Sequence, residues 1–189
     1  MTKQQALDKI AKEIESCKIC KVNKTGKAVP GEGNPNSDIM FIGEAPGRQE
    51  GETGRPFIGR SGKLLTILIE SIGLKREDVY ITSPVKYYPG MRPPTQQEID
   101  HGKTHLQKQI ETIIPSYLVL LGRVAVKGVL GIDVVMSKVH GTIVVKNQKN
   151  HFITYHPAAA LRFQKFKTPL QGDFKKLKLL LKKQNKKKN

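Results

Sequence analysis

The chain has 189 residues, of which 38% are hydrophobic and 26% are charged, and this composition is typical of one globular domain. It excludes a wholly disordered chain, a collagen-like repeat and, with only two cysteines, a small disulfide scaffold. The formal net charge of +17 predicts a polyanionic partner, either nucleic acid or an anionic membrane surface.

The N-terminal segment is predicted to form an amphipathic helix over residues 2–16, and it lacks the apolar core of a signal peptide. No apolar run reaches the roughly 18 residues that a membrane span requires, so we expect a soluble, intracellular protein. Cys17 and Cys20 follow in Cys-x-x-Cys spacing, which suits metal or redox chemistry better than a structural disulfide.

After a loop at 21–37, short apolar runs alternate with helical patterns and turn-rich loops. In chain order we predict a strand at 38–42, a loop at 44–59, a helix at 61–72, a strand at 79–82, a loop at 83–94, a helix at 95–113, a strand at 117–121, a helix at 122–130, a hairpin or two short strands at 134–145, a strand at 151–155 and a helix from 173. Thr95 and Glu98 form a capping box at the start of the 95–113 helix.

This alternation predicts an α/β fold, a three-layer αβα arrangement around a central four-stranded parallel sheet. We expect a single domain over residues 1–189 that ends in a lysine-rich tail at 182–189. In such folds the ligand crevice lies beyond the carboxyl ends of the strands. Glu44, Ser83 and His156 each follow a predicted strand, so we expect them at this crevice.

Two of these side chains carry acid–base chemistry. Glu44 lies in a Gly/Pro-containing turn after a buried strand, where desolvation tunes a carboxylate. The alternative is a plain turn with Glu44 exposed to water. His156 can donate a hydrogen bond to a developing anion, and the alternative is a strand-terminal histidine bonded to a backbone carbonyl.

A basic loop at 54–60 contains one aromatic side chain, Phe57. Stacking of Phe57 on a planar base would contribute about 1–3 kcal/mol. The alternative is a core phenylalanine that anchors the loop. Arg55 and Arg60 either contact phosphates or are merely solvated.

Three short motifs in matching order resemble those of the uracil-DNA glycosylase superfamily, most closely its thermophile-type family 4. They are G-E-A-P-G at 43–47, G-R-P-F-I-G at 54–59 where the family has G-R-P-F-V-G, and H-P-A at 156–158. The segment G-R-V-A at 122–125 is similar to the exit of the family's third strand. The resemblance covers roughly residues 17–181.

The resemblance implies a monofunctional DNA repair glycosylase that flips uracil out of DNA, hydrolyses its N-glycosidic bond and leaves an abasic site. Phe57 would stack on the base, and the backbone around Gly43 and Ala45 would hold its edge. Glu44 would orient water or steady the cationic sugar, and His156 would stabilise the negative charge on uracil O2.

The resemblance also predicts the partner and the surface that binds it. The substrate would be uracil-containing DNA, single- or double-stranded, bound by a cytoplasmic, nucleoid-associated monomer that needs no cofactor for the chemistry. Arg55, Arg60, Lys86 and Arg162 are the predicted DNA contacts, and Leu161 is the candidate wedge in the minor groove. The lysine tail is expected to bind phosphates non-specifically.

A first departure from the family concerns its four cysteines, which hold a [4Fe–4S] cluster. Cys17 and Cys20 match the first two, but the third position falls at Tyr87 and the fourth at or beside Gly102. Two thiolates cannot hold a standard four-cysteine cluster within one chain, so we do not expect one.

His101 lies beside the missing fourth ligand. We expect Cys17 and Cys20 to be reduced and to pack without a metal. The alternative is a zinc site made by these cysteines with His101, and with His105 as a further ligand. A further alternative function, a metal-dependent redox or regulatory module, is supported by these two cysteines alone.

A second departure is Ser83, where the family usually has an asparagine whose amide reads the uracil N3–H and O4. A hydroxyl is shorter, so we expect either uracil discrimination that is weaker by about 1–3 kcal/mol or a preference for another base such as hypoxanthine. Together with the missing cluster ligands, Ser83 motivates the alternative function, a non-catalytic nucleic-acid-binding protein that retains the glycosylase fold.

Overall fold

The computed structural model describes the backbone of residues 1–188 and the side chains of residues 1–183. Its strands are β1 (Glu32–Gly33), β2 (Ile39–Ile42), β3 (Tyr80–Thr82), β4 (Tyr117–Leu121), β5 (Thr142–Lys146) and β6 (Lys149–Thr154). Its α-helices are α1 (Lys3–Ser16), α2 (Lys18–Lys21), α3 (Arg48–Thr53), α4 (Arg60–Ser71), α5 (Gln96–Ile113), α6 (Arg123–Leu130), α7 (Met136–Val139), α8 (Pro157–Arg162) and α9 (Lys167–Lys188).

Within the described residues the strands form one mixed sheet of six strands in the order β1-β3-β2-β4-β6-β5. The pairs β3–β2, β2–β4 and β4–β6 are parallel, whereas β1 and β5 pair antiparallel at the two edges. The α/β class is therefore confirmed, but the sheet has six strands rather than four, because two antiparallel edge strands flank the parallel ones. β1 has only two residues and carries little periodic signal, and β5 lies partly within the segment predicted as a hairpin or two short strands.

Both faces of the sheet are covered by helices because its inner strands are apolar on both sides. In β2, Met40 and Ile42 pack with α1, α5 and α6, while Ile39 and Phe41 pack with α4, α8 and α9. All residues of β2 and β4 are buried, as expected for strands that lie between two helical layers.

Most predicted helices are confirmed, and two of them begin as their capping residues predict. Thr2 and Thr95 cap α1 and α5, and each helix has a complete capping box. In α9, Leu177 is fully buried, and the partly buried Leu180 and Leu181 pack against the same core cluster.

Three local predictions are wrong. The 44–59 loop contains the short helix α3, which ends at Gly54 in the left-handed conformation. The 134–145 hairpin is instead helix α7 followed by β5, because Met136 and Val139 pack at helical spacing. The final helix begins at Lys167 rather than at residue 173.

The lysine-rich tail predicted at 182–189 lies at the margin of the described residues. The backbone of α9 continues through Lys188, whereas the side chains from residue 184 onward lie outside the described part of the chain. In the described residues we find no helix with both the length and the apolar character that crossing a membrane requires.

Candidate active site

The carboxyl ends of the parallel strands carry the predicted reactive side chains to one edge of the sheet. Glu44 follows β2, and His156 follows β6. Both line a cavity of about 270 Å³, whose other walls come from the 45–47 turn, from Phe57 and from the 88–92 segment. The structure therefore brings together the acid and the imidazole that lie more than a hundred residues apart in the sequence.

His156 is held as a neutral imidazole with one nitrogen free to donate. Its Nδ1 accepts a hydrogen bond from the backbone N–H of Ala158 at 3.1 Å and so caps helix α8. Burial lowers the pKa of His156 to about 4, so the ring is neutral at physiological pH. Since Nδ1 accepts, the proton resides on Nε2, which faces the Gly43 side of the cavity.

Phe57 forms the neighbouring wall. Its ring stacks beside the His156 ring, with centroids 5.6 Å apart and planes inclined by 29°. The position depends on glycine at 43, because a Cβ there would lie 2.4 Å from the Phe57 ring. Phe57 itself adopts a φ of 50°, in the left-handed region that disfavours a bulky side chain. Such strain is typical of residues that the surrounding structure holds for function.

Glu50 fixes the loop that carries Phe57. It is buried, and its Oε1 accepts hydrogen bonds from the backbone N–H groups of Ile58 at 2.9 Å and Gly59 at 2.8 Å. These donors lie at the start of α4, where a carboxylate also interacts favourably with the helix dipole. This positioning residue could not be predicted from the sequence, because its partners are recognisable only once α3 and α4 are packed.

Glu44 is the half-buried carboxylate of the cavity. Burial raises the pKa of Glu44 above its usual range, and the positive charge of Arg123 at the start of α6 partly opposes this. The carboxylate therefore retains its proton to a higher pH than an exposed glutamate does, as expected for a group tuned by its site.

Ser83 follows β3 at the same edge, but its hydroxyl is engaged within its own loop. The side chain is buried, and Oγ donates a hydrogen bond to the Val85 carbonyl at 2.7 Å. Ser83 is not among the described residues that line the 270 Å³ cavity, and this side of the cavity is formed by Tyr88, Pro89, Gly90 and Arg92.

Lys86, a predicted DNA contact, lies inside the protein, and that prediction is corrected. Its side chain is 1% exposed, and Nζ donates to the Pro30 carbonyl, Thr82 Oγ1 and Gln109 Oε1 at 3.1, 2.7 and 2.8 Å. Burial lowers the pKa of Lys86 to about 7. The sequence suggested a solvated loop lysine because the segment is rich in turn-forming residues, yet the loop folds inward.

We expect Lys86→Met to lower the free energy of unfolding by about 1–3 kcal/mol, because it leaves buried oxygen acceptors without a donor. Urea unfolding of the variant and the unchanged protein measures this loss. The matched control is Lys12→Met on the exposed face of α1, which should unfold at nearly the same urea concentration as the parent. If Lys86→Met leaves the stability unchanged but weakens the salt dependence of nucleic-acid binding, Lys86 is an exposed DNA contact and not a buried one.

The other predicted DNA contacts separate into two groups. Arg60, Leu161 and Arg162 line a groove of about 560 Å³ that shares Glu50, Ser61 and Ala158 with the walls of the active-site cavity. Arg55 lies elsewhere and makes two hydrogen bonds to the Glu32 carboxylate, at 2.6 and 2.9 Å. Arg60, Leu161 and Arg162 are exposed at the groove, whereas Arg55 is paired with Glu32.

Cys17 and Cys20 lie beside two histidines of α5, the helix that follows the loop after β3. The ligand atoms of Cys17, Cys20, His101 and His105 all lie within 4.8 Å of one another. Burial raises the pKa of the Cys20 thiol to about 12, so this sulfur is protonated at neutral pH unless a cation binds beside it.

A four-cysteine [4Fe–4S] cluster does not fit this chain. The Tyr87 hydroxyl donates to the carbonyls of Ile14 and Glu15, at 3.4 and 3.3 Å, in a position that offers no thiolate. At Gly102 even a Cβ would lie 2.0 Å from the Pro84 carbonyl oxygen, so a cysteine side chain has no room there. We therefore derive no step through such a cluster.

Comparisons with known proteins agree with the geometry of the site. A family model described as the uracil DNA glycosylase superfamily matches residues 30–178. The chain is 40% identical over 183 residues to the type-4 uracil-DNA glycosylase of Archaeoglobus fulgidus, covering 92% of each chain. It is 44% identical over 186 residues to the enzyme of the same name from Sulfurisphaera tokodaii, covering 93% of this chain and 84% of that one. The corresponding enzyme of Saccharolobus solfataricus is 45% identical over 183 residues, with 91% and 85% covered.

Proposed function

Since the chain belongs to the uracil-DNA glycosylase superfamily, we propose that it is a family 4-like uracil-DNA glycosylase, a hydrolase that excises uracil during base excision repair. The observation that carries the proposal is the convergence of Glu44 and His156 on one cavity with Phe57 as its aromatic wall. The protein works as a single domain over residues 1–189.

The cavity receives a base that has left the DNA helix. A glycosylase reaches the bond between base and sugar only after the nucleotide is extruded, which costs a few kcal/mol of unstacking. Stacking on Phe57 returns about 1–3 kcal/mol, and backbone groups of Gly43 and Ala45 hold the edge of the base. Leu161, 44% exposed beside the groove, fills the gap left in the stack.

Cleavage separates charge, and the two side chains stabilise opposite ends of that separation. As the bond from C1′ to the base nitrogen lengthens, its electron pair passes to the uracil, and negative charge collects on O2. The neutral His156 donates its Nε2–H to that oxygen. Glu44, as a carboxylate, stabilises the cationic sugar and orients the water that adds to C1′; the proton lost by this water neutralises the uracil anion after release.

Ser83 sets the expected selectivity for the base. Its buried hydroxyl donates to the Val85 carbonyl, and Ser83 is not among the described residues that line the cavity, so it offers the base no substitute for the family amide, which would both donate and accept. We expect uracil to be the main substrate, with weaker rejection of other deaminated bases such as hypoxanthine. The reaction needs only water as co-reactant, so no cofactor takes part in the chemistry.

DNA lies in the groove lined by Arg60, Leu161 and Arg162, and the positive net charge favours its approach. This groove accepts single- or double-stranded DNA, because phosphate contacts do not require pairing. We expect a monomer that acts in the cytoplasm at the nucleoid, where the substrate is.

The salt dependence of DNA binding tests the assignment of this groove. Replacement of Arg60 or Arg162 by alanine should each reduce the slope of log affinity against log salt concentration by about 0.9, the value for one lost phosphate contact. Arg55→Ala is the matched control, because that guanidinium is paired with Glu32, and its slope should stay near the parent value. An equal reduction of the slope in all three variants would contradict the assignment of DNA binding to this groove.

The function itself is tested with oligonucleotides that carry one uracil, one hypoxanthine or one thymine. The purified protein should release free uracil, detected by mass spectrometry, and alkali should then break the strand at the abasic site. The thymine strand should remain intact. Tight binding to all three strands without base release would instead support the alternative, a nucleic-acid-binding protein that retains the fold without the chemistry.

A further inference from the structure

Four metal-binding side chains from two separate segments converge near the N-terminus of the protein. The ligand atoms of Cys17, Cys20, His101 and His105 lie within 4.8 Å of one another, and Cys17 Sγ lies 3.1 Å from His101 Nε2. Four ligands around one tetrahedral zinc ion stand about 3.3–3.8 Å apart, given zinc–sulfur and zinc–nitrogen bonds of about 2.3 and 2.0–2.1 Å. The group therefore approaches the geometry of a single-ion site.

The local fold explains why these four side chains meet. Cys17 ends α1 and begins α2, and its sulfur accepts the backbone N–H of Cys20 at 3.4 Å, so both sulfurs turn to one side. His101 and His105 are separated by one helical turn and lie on the same face of α5. Packing of α1 and α2 on α5 then brings the two pairs together.

His105 gives an independent indication of a missing ligand. Its side chain is 7% exposed, and within the described residues both ring nitrogens are buried without a hydrogen-bond partner. The great majority of buried polar atoms in proteins have a hydrogen-bond partner, so an imidazole with two unpartnered nitrogens requires an explanation. A metal ion on one nitrogen would provide it.

We propose that Cys17, Cys20, His101 and His105 bind one zinc ion. The spacings Cys-x₂-Cys and His-x₃-His are those of structural Cys₂His₂ zinc sites. This inference is independent of the glycosylase activity, because none of the four side chains lines the active-site cavity within the described chain.

The distances favour one ion over an iron–sulfur centre with the same ligands. A two-iron centre of the Rieske type takes two cysteines on one iron and two histidines on the other, which separates sulfur from nitrogen. Here Cys17 Sγ and His101 Nε2 lie 3.1 Å apart in a hydrogen-bonding contact, which is much nearer to the spacing of two ligands on one ion than to that of ligands on two irons. A four-iron cube would spread its ligands farther still.

The site also has an access route and a structural consequence. A cavity of about 230 Å³ reaches Cys20 and His101 from the surface, so an ion can enter the folded protein. A bound ion would tie the end of α1 to α5. The loop just before α5 carries Tyr88 and Arg92, which line the active-site cavity, so the ion would also steady that wall.

The test measures metal content in the full-length protein, purified under reducing conditions and loaded with zinc. Elemental analysis should give about one zinc per chain with no iron. After exchange, cobalt should give the visible absorption of a tetrahedral ion with thiolate ligands. Cys20→Ser and His105→Ala should each lose the bound metal and the cobalt absorption. The matched control is His151→Ala, because His151 is equally buried but bonds to the Val144 carbonyl.

Two results would overturn the proposal. One is that the protein without substitutions holds no zinc after loading, although it unfolds cooperatively and is therefore folded. This result needs no variant for its interpretation. The other is a brown protein with iron and labile sulfide in place of zinc. If His105→Ala fails to fold, the half-exposed His101→Ala serves instead, and full zinc retention by that variant would equally contradict the site.

Discussion

Replacement of His156 by asparagine should slow uracil release by about 10²–10³-fold, because the shorter amide ends before the position of Nε2 and so withdraws the donor from the developing charge on uracil O2. Asparagine is chosen because its side-chain oxygen can still accept the Ala158 N–H and cap α8, as His156 Nδ1 does. Single-turnover rates on a uracil-containing oligonucleotide measure the loss without interference from product release.

The comparison with His156→Ala separates catalysis from stability. Alanine removes the cap as well, so this variant should also lose about 0.5–2 kcal/mol of unfolding free energy. Both variants should be equally slow if the imidazole acts on the base. A rate near that of the parent protein in the asparagine variant would show that His156 serves only to begin the helix.

Replacement of Glu44 by glutamine should reduce the rate of uracil release by about 10²–10⁴-fold. Glutamine keeps the shape of the side chain but carries no negative charge to stabilise the cationic sugar and accepts no proton from water. The matched control is Glu52→Gln on α3, an exposed carboxylate paired with Arg48, and its rate should be unchanged. Equal rates in the two variants would remove Glu44 from the mechanism.

The pH profile provides a second measure of Glu44. Burial raises the pKa of Glu44, so the protein should lose activity on acidification at a higher pH than an exposed glutamate would predict. His156, with a pKa of about 4, stays neutral over that range and does not contribute. The Glu44→Gln variant should therefore lack the acid limb, and a limb that persists with the same midpoint would assign it to another group.

The catalytic edge of the sheet could be predicted from sequence because it follows from topology. Parallel strands end at a common edge, so any residue placed directly after a buried apolar run is brought there. Glu44 and His156 satisfy this rule, and the four strands predicted at 38–42, 79–82, 117–121 and 151–155 agree with β2, β3, β4 and β6 within about two residues. The role of the glycine at 43 could not be predicted in this way, because it depends on the Phe57 ring that packs beside it.

Residues whose role depends on packing could not be found in this way. Lys86 lies in a proline-rich loop, which predicts exposure, yet the loop folds against α5 and buries the amine. Glu50 has no sequence signal, because the N–H groups it accepts belong to another segment. His101 and His105 could be placed on one helix face, but their meeting with Cys17 depends on how α1 packs on α5.

The central claim is that Glu44 and His156 act on one extruded base, and a crystal structure with DNA that holds an abasic site and free uracil tests it most directly. The account predicts uracil stacked on Phe57, with its O2 within about 2.7–3.2 Å of His156 Nε2 and the Glu44 carboxylate facing the sugar. Uracil bound away from these side chains, or a sugar out of reach of Glu44, would contradict it.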